Sequence, residues 1–148
     1  MRICLLLFLF IDPAFCFSQN KKCEDAIAVF EKKQFDFKDA AQLAAELKAF
    51  EIKNINSLSD NCYRRLYSLM ANFFHTGGSI DTAELYFKKQ LYYGSLCKDD
   101  TSEIAASIDY ARFLNSRNPE KFFTYIDTVY GKLFQACGKY RYIAFLGS

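Results

Sequence analysis

The feature that most constrains this chain is a period. From about residue 22 to residue 136, apolar side chains recur every three or four positions, the spacing of one helix face, and strand-like alternation is weak throughout. The stretch LMANFFHTGGSIDTAELYFKKQ, residues 69–90, shows it best. Its apolar face stops at Gly77-Gly78 and resumes after Ser79, and one alanine, Ala71 or Ala83, lies on each side of the break.

Turn and cap signals divide the periodic region into six helices. The first is expected from about Lys22 to Lys33 and the second over 37–52, with Asp36 and Asp39 at its start. After the polar linker NINSLSDN, the third is expected from Asp60 to His75. Gly77-Gly78 then offers a left-handed C-cap, because glycine enters that region without a Cβ penalty. Ser79 is placed to cap a fourth helix over 80–95, and Asp100 with Glu103 has capping-box spacing for a fifth that ends near Ser116. Asn118-Pro119, an N-cap residue before a proline at the first helical position, opens a sixth that is expected to end near Ala136.

The segment before residue 22 reads differently. Arg2 precedes a nine-residue apolar run, Ile3 to Ile11, which is long enough for a signal h-region and too short to span a bilayer. Asp12-Pro13 ends the run, and Cys16 and Ser18 place small residues before a cut that leaves Gln19 first. Residues 1–18 are therefore expected to be a Sec-type signal peptide, and the mature chain to be periplasmic or secreted with no integral membrane segment. Cleavage leaves four cysteines, Cys23, Cys62, Cys97 and Cys137, and an even count in an exported chain reads as disulfide-bonded. Three connectivities are possible; Cys23–Cys62 with Cys97–Cys137 is favoured, because each bond then staples adjacent units. Cys62–Cys97 is the next pairing, and a four-cysteine zinc site on the same edge is the sharper alternative.

The alanines repeat as pairs. Ala28 and Ala40 are twelve residues apart, as are Ala71 and Ala83; Ala111 and Phe123 keep the spacing but lose the second alanine. Antiparallel helices joined by a short turn approach closely only where side chains are small, so alanine on both sides marks a crossing point. In the middle unit Tyr67, Met70-Ala71, Phe74, Ala83 and Phe87 resemble, in order, the aromatic, leucine-glycine, aromatic, alanine and aromatic positions of the tetratricopeptide repeat family. The chain departs from that family in lacking tryptophan, in Ala71 for glycine, and in units 43 and 40 residues long against about 34.

The resemblance implies an all-α fold of three antiparallel hairpins stacked as a short solenoid over residues 19–138. Residues 139–148 would then be a short cap or the start of another helix. It also implies a protein or peptide partner held on a concave surface of first helices, with Arg65, Asn72, Arg112 and Asn115 as candidate contacts for an acidic chain end.

Catalytic signals are thin. The only histidine, His75, is expected as an exposed helix-end residue, and the phosphate, dinucleotide and calcium loops are missing. Net charge is +2, which does not indicate nucleic-acid binding. The reading is therefore a non-catalytic exported adaptor without cofactor or metal. Its alternatives are the sensory or assembly region of a larger envelope signalling protein, and a small carboxylate hydrolase using pairs such as Glu46 with Glu51 or Asp81 with Glu84.

Overall fold

The computed structural model of the chain describes residues 23–32, 40–55 and 57–146, with side chains for 23–32, 41–55 and 57–138. These residues form α1 (23–32), α2 (Ala40–Lys53), α3 (Asp60–Thr76), α4 (Ile80–Leu96), α5 (Asp100–Arg117) and α6 (Pro119–Leu146), and no strand. The expected signal peptide and the Asp36–Asp39 start of the second helix lie outside the described residues. Among the described residues no helix is long and apolar enough to cross a membrane.

Local capping chemistry sets most helix ends. The α3–α4 turn is a Schellman arrangement: the Ser79 N–H donates to the Phe74 carbonyl (2.9 Å) and the Gly78 N–H to that of His75 (3.1 Å). Gly78 (φ +78°) takes the left-handed place, whereas Gly77 stays at φ −76°. Ser79 precedes α4 but makes no capping bond with its side chain. The α5 cap is Asp99 rather than Asp100, and its carboxylate accepts from the Ser102 N–H (2.7 Å). Asn118 caps α6 as expected, accepting from the Lys121 N–H (3.0 Å). The break expected near Ala136 is absent, and α6 continues through Gly138 to Leu146.

Each helix packs mainly on its neighbours in the chain, and α3 also touches α5. The α3–α4 hairpin holds the centre of the core, and Leu66, Met70, Ala71, Ala83 and Phe87 are all buried there. Tyrosines surround the two alanines; Tyr63 stacks on Tyr93 with centroids 4.6 Å apart, and Phe74 on Tyr86 at 5.5 Å. α4 and α5 come close at Gly94, where a Cβ would lie 3.0 Å from that of Ala106. The last pair, where Phe123 stands in place of a second alanine, is packed differently: Ala111 is buried, but Phe123 is 67% exposed and Phe122 turns inward in its place.

One disulfide, Cys23–Cys62, joins α1 to α3 across a Cα separation of 6.5 Å. It agrees with an oxidising compartment. The expected Cys97–Cys137 bond is not made. The Cys97 thiol is half-buried and donates to the Tyr93 carbonyl (3.3 Å). On α6 the inward place belongs to Ala136, so Cys137, about 100° further round the helix, is exposed. Burial pushes the Cys97 thiol pKa above its usual value.

Candidate partner-binding surface

The four candidate contact residues sit on the first helices of the second and third hairpins, Arg65 and Asn72 on α3 and Arg112 and Asn115 on α5. Their surroundings differ. Arg65 Nη2 donates to both carboxylate oxygens of Glu31 at 2.9 Å, so this guanidinium bridges α3 to α1. Asn72 turns back on its own helix, its Nδ2 donating to the Ser68 carbonyl (2.9 Å). Arg112 is different, with its side chain 79% exposed and only a 3.8 Å contact to Asp109. Asn115 is exposed as well. The free polar groups of the set therefore belong to α5, and those of α3 are engaged within the fold.

His75 departs from its expected exposure. Its ring lies edge-on to Phe113 (centroids 5.4 Å apart) and Phe87 (6.4 Å), with Nε2 3.5 Å from Ser116 Oγ. It packs α3 against α5 and α4. Gln90 is buried and its Nε2 donates to Asp109 (2.8 Å), while its Oε1 has no partner among the described residues.

Three of the four carboxylates considered for acid–base work, Glu46, Glu51 and Glu84, are held in ordinary pairs. Glu46 accepts from Gln42 Nε2 (2.8 Å), and Glu84 pairs with Lys88 (2.8 Å). The hydrogen bond from Lys88 lowers the Glu84 pKa, the direction opposite to that of a proton donor working near neutrality. Glu51 accepts from Lys89 Nζ (2.8 Å) and from the Tyr86 hydroxyl (3.4 Å), and that ammonium lies 4.8 Å from the Tyr67 ring centroid. Burial, then the Glu51 charge, pushes Tyr86 up to about 12, and Tyr67 moves further in the same direction. The cluster fastens α2 to the α3–α4 hairpin. No local signal announces it, because Glu51 and Lys89 are 38 residues apart and meet only through helix packing.

Two concavities lie along α6. The larger, about 470 Å³, is floored by Tyr110 and Leu114 of α5 and walled by Lys121, Thr124, Tyr125 and Thr128 of α6. The smaller, about 260 Å³, holds the Glu103–Lys132 ion pair (2.6 Å). Among the described residues no three His, Cys, Asp or Glu side chains converge as metal ligands would, and Cys23 and Cys62 are already bonded to each other.

The chain matches no family model, no curated protein and no solved structure in the comparisons made.

Proposed function

We propose that this is an exported, non-catalytic adaptor, a short tetratricopeptide-like stack of three helical hairpins that binds a protein or peptide on the face formed by α1, α3 and α5. The observation that carries this reading is the order of contacts between non-consecutive helices. First helices meet first helices: α1 reaches α3 through Cys23–Cys62 and Arg65–Glu31, and α3 reaches α5 through His75 and Phe113. A second helix meets the next second helix where Glu51 of α2 holds Lys89 of α4. Hairpins stacked side by side need this order, and stacking makes an extended surface of first helices.

Arg112 and Asn115 supply donors for an acidic chain end on that surface, while Arg65 and Asn72 hold its framework. The test is binding of short acidic peptides carrying either a free or an amidated C-terminus, measured by fluorescence anisotropy. The free carboxylate is expected to bind about tenfold tighter, the scale of one charge-assisted hydrogen bond. Arg112→Glu should erase that preference without moving the melting temperature, since the side chain is largely solvated. Equal binding of both peptide forms, or a preference untouched by Arg112→Glu, would remove this surface from consideration. Export is tested separately, by finding Gln19 as the first residue of the secreted chain.

A further inference from the structure

On α5, Asp109 and Arg112 are three positions apart, the spacing of neighbours on one helix face. Such pairs are ordinarily solvated at both ends. This one is held at one end. Gln90 of α4 is fully buried, and its Nε2 donates to Asp109 Oδ2 (2.8 Å). Asp109 Oδ1 lies 3.8 Å from Arg112 Nη1. Turning the Gln90 amide round would set its oxygen against the carboxylate, so each group fixes the orientation of the other. The side chain of Asp109 is 29% exposed, against 79% for Arg112. One anion is thus anchored at the seam of α4 and α5, and the cation beside it reaches into solvent.

At 3.8 Å the Arg112 contact is longer than a hydrogen bond, so the guanidinium keeps its N–H groups for a ligand. Asp109 therefore acts on whatever binds there through its charge alone. The other arginines do not offset it: Arg65 is spent on Glu31, and Arg117 lies about 140° round α5 from Arg112. A carboxylate paired with the outer edge of the guanidinium stands about 6 Å from Asp109 Oδ1. At that distance in water, Asp109 weakens binding about threefold for each negative charge on the ligand. Arg112 attracts a second, unpaired ligand charge by a similar factor. Beyond the first carboxylate the two effects cancel.

We infer that Asp109 sets the charge this surface accepts. Held beside Arg112 by Gln90, it makes the site take a chain end that carries one carboxylate and gain nothing from a second. The inference rests on the reading of α5 as a peptide-binding helix, and it names the class of end bound there: a terminal carboxylate whose own side chain is uncharged.

Fluorescence anisotropy with the full chain at about 10 mM salt, where charges are least screened, tests it. Three labelled peptides share one neutral sequence and differ only at the last residue: alanine with a free carboxylate, aspartate with a free carboxylate, and alanine amide. Wild-type protein should prefer free alanine to its amide by about tenfold and bind the alanine and aspartate ends within about a factor of two. Asp109→Asn keeps an oxygen for Gln90 Nε2. It should tighten the alanine end about threefold and the aspartate end about ninefold, with the amide and the helical content unaffected. Wild-type protein that binds the aspartate end several-fold tighter overturns the inference without any variant. So does an Asp109→Asn protein that shifts both free ends equally, or that binds both more weakly, since Asp109 would then position Arg112 instead of setting charge. Equal binding of free and amidated alanine by wild type is a different failure: it removes the α5 site itself, and the inference with it.

Discussion

At the scale of single residues, Arg65 shows how a surface position acquires a structural role. Helical periodicity alone places it away from the core, where a long cation is ordinarily solvated. The structure gives it a two-point contact with Glu31, 34 residues earlier, and leaves its side chain 27% exposed. Arg65→Ala is therefore expected to lower stability by about 1 kcal/mol, the upper part of the range for partly exposed ion pairs. Glu31→Gln should cost a similar amount, and the double variant little more, because each substitution removes the same contact. Urea denaturation of the four species closes the cycle; additive losses would mean that the two side chains act separately. The position of Arg65 on its helix was legible from local spacing, but its partner was not, because the α1–α3 register depends on packing between hairpins.

At the scale of helices, the ends were legible where one residue has one conformational reason to be there. Asn118-Pro119 and the Gly77-Gly78 turn are such cases, although the left-handed residue is Gly78. Gly131 and Gly138 carry no such reason, and α6 passes through both. Small residues at crossings were half legible. Ala71 and Ala83 are buried as expected, and the α4–α5 approach uses Gly94 and Ala106, which are also twelve residues apart but escape an alanine-only repeat because one of them is glycine. These glycines should respond oppositely to alanine. At Gly131 nothing lies within 4 Å of a new Cβ, so Gly131→Ala should raise stability by up to about 1 kcal/mol through backbone entropy. At Gly94 the new methyl would meet Ala106 Cβ at 3.0 Å and the Ser102 carbonyl oxygen at 3.2 Å, and the latter moves only with the α5 backbone. Gly94→Ala should therefore lower stability by about 1–2 kcal/mol, overpacking outweighing the helix-propensity gain. A stabilised Gly94→Ala variant would show that α4 and α5 separate more readily than this contact implies.

At the scale of the whole molecule, contacts run mainly between neighbours, so local stability should vary along the chain. The centre is α3 and α4, whose buried faces form most of the core. α1 meets the rest through Ile27, the Phe30–Phe50 contact, Arg65–Glu31 and Cys23–Cys62. The disulfide spans 39 residues, and in the chain-entropy model a loop of that length contributes about 4 kcal/mol. Its effect should be concentrated on α1, because the bond limits how far that helix strays once it detaches. Hydrogen exchange read by mass spectrometry, with and without a reductant, separates the two cases. On reduction, amides of residues 23–32 should lose protection by up to about a thousandfold, the rate equivalent of that free energy. Those of α3 and α4 should change far less, since their hydrogen bonds and aromatic contacts do not pass through sulfur. If protection fell equally in α1, α3 and α4, the helices would unfold as one cooperative block, and the disulfide would support the whole fold instead of its first helix.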